Sequence, residues 1–410
     1  MDLVLKNARC LGGEQQLTDI GIAGGRIAIL GPQLSADAET IDLEGRLVSP
    51  GFVETHIHLD KSCILDRCQS ERGDVAEAIA ETAKAKASFT AEDVYARASR
   101  TLEKAILHGT THMRTHLEVD PGIGLRGLAG VQPLIKDYAW AIDLHICVFP
   151  QEGLTDNPGT DELIVAALEA GCRAVGGVPY ADSNPRGQID RIFEIARDYD
   201  VDIDFHLDLG PTAEGMQIDY VCRRTEEFQY GGRVTVGHLT RATSLAPAAF
   251  DAMGRRMADA GVALTVLPST DLYLMGRDHT HDHNIARGVV PAHKLLRHGV
   301  NCSLSSNNIL NPFTPIGDCS QLHMANLYAN VCQVGKQADM RECFAMITQR
   351  PATVMRLADY GLAVGKSADL VVLDSQSAEM AVAELVAVLY AFRRGRKTVS
   401  RRPATLHRPR

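Results

Sequence analysis

Between residues 52 and 307 the chain repeats one rhythm: short runs rich in Val, Ile and Thr, separated by helix-like stretches. The runs are Phe52–His58, Gly109–His116, Asp143–Pro150, Arg173–Pro179, Val201–His206, Arg233–His238, Val262–Pro268 and Val300–Asn307. Segments such as Asp161–Ala170 and Gln188–Tyr199 read as the intervening helices. Eight β-α repeats ending in polar residues predict a parallel (β/α)8 TIM-type barrel, with its chemistry at the carboxyl ends of the strands. An open doubly wound sheet is the alternative, but no glycine-rich phosphate fingerprint follows the first strand.

The two ends of the chain have a different texture. Residues 2–6, 18–23 and 26–30 read as short strands, with Gly24-Gly25 as a hairpin turn, and Leu47-Val48 as one more. Beyond residue 350, Pro351–Val354 starts a short helix, Gly365–Asp374 is a turn and a strand, and residues 384–400 hold two strands around Arg394-Gly395. These ends are expected to pair into a small β-sandwich domain, residues 1–49 plus 360–402, beside a catalytic barrel of residues 50–359. The tail Arg401–Arg410 is expected to be ordered only by contact with something else.

Composition removes several classes of function. With 45% hydrophobic and 23% charged residues, the 410-residue chain can bury a large core. A net charge of −9 leaves no electrostatic footprint for nucleic acid. No run of eighteen apolar residues is present, and the first residues lack the pattern of a signal peptide, so no membrane role is expected. Ten scattered cysteines without a CxxC pair fit reduced thiols and a cytoplasmic location. A homo-oligomer is the expected state.

Ser49-Pro50-Gly51 releases the first barrel strand, which ends in His56-Ile57-His58. Residues i and i+2 of a strand share a face, so both imidazoles reach one point. Two such histidines are often only polar packing, but the fifth run ends in His206 and the sixth in His238. Four histidines at strand ends point to a metal, because neutral imidazole is the commonest protein ligand for zinc and also suits iron.

His-x-His on the first strand with His on the fifth and sixth resembles the amidohydrolase superfamily. The likeness covers nearly the whole chain, through the closing Gly365-Lys366-Ser367-Ala368-Asp369-Leu370-Val371. Phe149-Pro150-Gln151-Glu152-Gly153, Arg114-Thr115-His116 and Asn311-Pro312-Phe313 are similar to the cytosine deaminase branch. His56–Lys61 is also similar to the s-triazine-processing amidohydrolases. The resemblance implies that His56, His58 and His206 bind one divalent metal, zinc first, with iron or manganese as alternatives. It implies that His238 hydrogen-bonds the attacking water or the leaving group, and that Gln151 grips a lactam or amidine edge. Binuclear members of the superfamily carry a carboxylated lysine at the end of strand four; the fourth run here has none, so one metal is expected. Lys61 is a candidate anchor for an anionic or carbonyl group, with Asn308 as a further substrate contact.

The chain departs from that family at two positions. Asn307 stands where the family places a strand-eight aspartate that binds metal and accepts a proton, and an amide takes no proton from water at neutral pH. Leu209 stands where the deaminases carry a glutamate, leaving Asp208 as the nearest carboxylate. A compensating base is available in Asp278-His279-Thr280-His281-Asp282-His283, which also reads as a second metal site or a solvated lid. The leading expectation is metal-assisted hydrolysis of a C–N bond, by deamination or ring opening, in a small cyclic amide, amidine or ureide other than cytosine. A bound metal lowers the pKa of water from 15.7 to about 7 and polarises the electrophilic carbon. Lyase-type chemistry and a non-catalytic ligand binder are the alternatives that the loss of two carboxylates keeps open.

Overall fold

The computed structural model describes residues 1–35, 37–277, 287–402 and 404–408. Eight parallel strands run in sequence order: β6 (Phe52–Ile57), β7 (Thr110–Glu118), β8 (Asp143–Phe149), β9 (Ala174–Gly177), β10 (Asp202–Leu207), β11 (Val234–His238), β12 (Val262–Val266) and β13 (Cys302–Leu304). Each is hydrogen-bonded to the next. The sheet closes just past β13. There Asn307 N–H donates to the carbonyl of His56 at 2.8 Å, and His58 N–H donates to the carbonyl of Asn307 at 2.9 Å. The expected barrel is therefore present, with the first and eighth strands joined beside the two leading histidines.

Both chain ends enter one continuous sheet. The first five strands are β1 (Leu3–Cys10), β2 (Leu17–Ala23), β3 (Arg26–Gly31), β4 (Glu39–Asp42) and β5 (Leu47–Pro50). With β14 (Leu370–Leu373), β15 (Val388–Arg393) and β16 (Arg396–Ser400) they take the order β16-β15-β14-β5-β1-β2-β3, and β4 pairs with β1. Gly24 and Gly25 both have positive φ, as a tight turn between β2 and β3 requires. Strand β4 had no sequence signal, because its Glu39-Thr40-Ile41-Asp42 is polar and largely exposed. It is held by pairing in parallel with β1. A small apolar core of Leu5, Ile20, Ile22, Val48, Leu370 and Phe392 is separate from the barrel's large one.

Local signals explain the helices around the barrel. Thr90 accepts from Asp93 N–H at 3.2 Å and caps the helix Ala91–Leu107, a role threonine side chains commonly take. Asp74 likewise caps Val75–Lys86 through Glu77 N–H at 2.8 Å. Strand β6 carries a bulge between Glu54 and Ile57, where its register against β7 slips by one residue. The bulge brings Thr55 to the hydroxyls of Ser303 (3.1 Å) and Ser305 (2.8 Å), and still leaves His56 beside His206.

Gly51 links the last flanking strand before the barrel, β5, to the first barrel strand, β6. A Cβ on Gly51 would lie 2.3 Å from Thr111 Cγ2 and Oγ1. Gly51→Ala is expected to cost about 1–3 kcal/mol, the usual penalty for overpacking. Denaturant titration should show that loss partly relieved by adding Thr111→Ala; independent, additive effects of the two substitutions would refute the contact.

Candidate metal centre and substrate pocket

His56 and His58 leave β6, His206 leaves β10 and His238 ends β11, so four histidines meet at the carboxyl end of the barrel. All are buried, at 3% exposure or less. His206 Nε2 lies 3.0 Å from His56 Nε2 and 3.2 Å from His58 Nε2. Burial holds His56 down to about 3 and pushes His58 and His206 well below the usual imidazole range, so all three are neutral at physiological pH. His58 Nδ1 faces the carbonyl of His116 at 3.2 Å, which makes that nitrogen the N–H and leaves Nε2 with a bare lone pair. Three Nε2 atoms with so few protons to share make a poor hydrogen-bond set but a good cation site. The donor set therefore fits a divalent metal held by His56, His58 and His206. Strand β9 carries no lysine that could bridge a second one.

The remaining predicted residues fall into two groups. Lys61 and Gln151 come together: Lys61 Nζ donates to Gln151 Oε1 at 3.0 Å and to Glu118 Oε1. Lys61 is 1% exposed and lies 4.4 Å from the centre of the Phe313 ring. The Phe149 ring stacks on His206 at 4.6 Å, placing the β8 end that carries Gln151 beside the histidines. Asn307 and Asn308 form an amide chain, with Asn308 Nδ2 donating to Asn307 Oδ1 at 2.9 Å and Asn311 Nδ2 donating to Asn308 Oδ1 at 2.7 Å.

Asp208 is engaged elsewhere. Its φ of 51° turns the chain, and its carboxylate accepts from Gln217 N–H (2.8 Å) and Ile218 N–H (3.1 Å) at the start of the helix Ile218–Glu227. Burial raises its pKa to about 6, while those two amides oppose the rise. Its oxygens serve a helix end, so the expectation that Asp208 carries the proton loses its geometric basis. The segment Asp278–His283 lies outside the described residues.

Several groups that sequence reasoning passed over are central here. Asp271, fully buried on the short helix Pro268–Leu274, accepts from His238 Nδ1 at 2.7 Å. Burial raises the Asp271 pKa, and His238 opposes that rise. Glu118 is shared by Lys61 and by Lys86, whose Nζ lies 2.8 Å from Glu118 Oε2 and 2.9 Å from Asp120 Oδ2. Burial works against ionising Glu118, yet the two ammonium groups bring it down to about 2. The sequence signal for Asp271 was its place just past the seventh strand; nothing local marks Glu118 or Lys86 as neighbours of Lys61. No helix among the described residues is long and apolar enough to cross a membrane.

The chain is similar to known proteins along nearly all its length. The model of an amidohydrolase family matches residues 39–138 and 142–400. N-isopropylammelide isopropyl amidohydrolase of Pseudomonas sp. is 30% identical over 406 residues, covering 96% of each chain. Pterin deaminase of Rhizobium rhizogenes is 29% identical over 370 residues, covering 87% of this chain and 82% of its own. The crystal structure of 5-methylcytosine deaminase from Klebsiella pneumoniae superposes with a TM-score of 0.93 at 28% identity, covering 99% of both chains. Together with the barrel and the histidine set at its carboxyl end, these matches place the chain in the amidohydrolase family.

Proposed function

We propose that this protein hydrolyses a C–N bond of a small nitrogen heterocycle, by deamination or ring opening, with one divalent metal. The observation that carries the reading is the convergence of three neutral imidazole Nε2 atoms beside the Lys61–Gln151 pair. Relatives named for ammelide, pterin and 5-methylcytosine support a cyclic amide, amidine or ureide as the substrate class. His56, His58 and His206 would hold the metal, zinc being the best match to three imidazoles, with iron or manganese as alternatives. When bound, the metal supplies Lewis acidity and lowers the pKa of water.

The residues of the chain do the rest. Lys61 donates to Gln151 Oε1, which orients that amide so that its NH2 is the group offered to a substrate carbonyl or ring nitrogen. Glu118 holds Lys61 in place, and the third Lys61 N–H remains for the substrate. Asp271 accepts from His238 Nδ1, which leaves His238 Nε2 to take a proton from water and return it to the leaving nitrogen. Asp271 stabilises the imidazolium formed in between, so the proton work moves from position 307 to the His238–Asp271 pair. Asn307 stays neutral and sets a pocket that differs from one built for cytosine.

Purified protein should carry close to one equivalent of metal, and His206→Ala should lose it while the barrel stays folded. Elemental analysis finding two equivalents, or full occupancy in that variant, would sink the assignment. Screening cyclic amides, amidines and ureides for ammonia release identifies the substrate, and cytosine should be turned over negligibly. On that substrate, Asp271→Asn should lower kcat about 10²–10⁴-fold, the usual worth of positioned proton transfer, without changing metal content. Gln151→Ala should weaken substrate binding by about 1–3 kcal/mol, the cost of leaving a buried polar group unpaired. Unchanged kinetics in either variant would make that residue structural only.

A further inference from the structure

Below the three convergent Nε2 atoms lies a second buried cluster that shares His56. Asp204 stands two residues before His206 on β10, so both side chains face the barrel interior. Asp204 Oδ1 lies 3.8 Å from His56 Nδ1, and Asp204 Oδ2 lies 3.4 Å from His116 Nε2. Arg114, on β7 with His116, donates through Nη1 to Asp204 Oδ2 at 3.1 Å. The His116 ring stacks on His56, with centroids 3.7 Å apart and planes 20° from parallel. Asp204 and both histidines are fully buried. His56 Nδ1, Asp204 Oδ1 and both His116 nitrogens have no hydrogen-bond partner among the described residues.

By donor type, His56, His116 and Asp204 could hold a second cation. Two facts weigh against that. Arg114 already sets a positive charge on Asp204, and a second cation beside it would meet repulsion with little solvent to screen it. His56 also has one lone pair as a neutral imidazole, and it cannot serve two metals through both nitrogens without losing its proton.

We propose that Asp204, held by Arg114, is a positioning residue for the metal centre: its carboxylate, 3.8 Å from His56 Nδ1, electrostatically favours the tautomer that keeps the proton on Nδ1 and so turns the Nε2 lone pair toward His58 and His206. This rests on the reading of those three histidines as metal ligands. His116 serves both leading histidines at once, its ring lying on His56 and its backbone carbonyl facing His58 Nδ1. Carboxylate and carbonyl partners of this kind fix the ring orientation and raise the basicity of a metal-binding imidazole.

The test is metal affinity, measured by competition between the purified protein and a chromophoric zinc chelator. Asp204→Asn, which keeps the side-chain volume, should raise the zinc dissociation constant about 10–100-fold, with one equivalent still bound at saturation and the metal-free protein still folded by circular dichroism. An affinity within twofold of the original overturns the proposal. So does a second equivalent of zinc in the unaltered protein that disappears in both Asp204→Asn and His116→Gln, because the cluster would then be a metal site itself. Should Asp204→Asn not fold, the cobalt-loaded unaltered protein decides. Its hyperfine-shifted proton spectrum should contain the exchangeable Nδ1–H of His56, and binding of cobalt through His56 Nδ1 overturns the proposal. Protein that binds no metal removes both this inference and the metal-ligand reading, whereas one tightly bound equivalent unaffected by Asp204→Asn removes this inference alone.

Discussion

The backbone seam between the first and eighth barrel strands is the constraint on which the site depends. Asn307 donates its N–H to His56 and accepts the N–H of His58, so the hydrogen bonds that close the barrel also set the spacing of two ligand candidates. Asn307 takes a left-handed φ of 61° to do this, a conformation that asparagine tolerates better than most residues. The seam is braced on both sides. Inside, Thr55, Thr265, Ser303 and Ser305 share hydroxyl hydrogen bonds. Outside, the Glu54 carboxylate accepts from Ser306 N–H and from Gln321. Burial pushes the Glu54 pKa up to about 7, and its hydrogen-bond donors oppose the rise. A chain of amides, Asn311 to Asn308 to Asn307, continues the network into the strand-eight loop without burying a charge.

A cluster of buried charge surrounds Lys61. Lys61 and Lys86 stand among Glu118, Asp120 and Glu152, and Asp60 lies close enough to Glu118 that burial and that neighbour raise it to about 6. A buried ion pair is costly to desolvate and adds little to stability on that account. Its value here is geometric. Lys86 ends the helix Val75–Lys86 and ties it to strand β7, while Glu118 sets the Lys61 ammonium against Gln151. The three candidate metal ligands are neutral rings backed by Asp204 and Arg114, whereas Lys61 and Gln151 stand against the fixed charge of Glu118.

Neighbours in sequence and neighbours in space give the carboxylates different partners. Asp208 sits two residues from His206, yet a left-handed turn sends its oxygens to the amides that start the next helix. Asp271 is thirty-three residues from His238 and meets it at 2.7 Å. Asp204 shares a strand with His206, but its partners Arg114 and His116 lie about ninety residues earlier.

The parallel barrel, the flanking strands from both ends apart from β4, and the four strand-end histidines were legible in the sequence. The reason is that they rest on local rules: alternation along a strand, caps at helix starts, and the tendency of polar residues to end barrel strands. Gln151 and Lys61 could be picked out one by one from their motifs. That they touch, and that Glu118 and Lys86 support them, depends on strands β7 and β8 lying side by side. Asp271 had only its place just past the seventh strand to mark it, and Asp204 nothing, since a single aspartate gains its role only from what the folded chain brings to it. The tertiary structure decided those pairings because a hydrogen bond or ion pair acts over a few ångströms, and only closure of the barrel brings residues so far apart in the chain within that range.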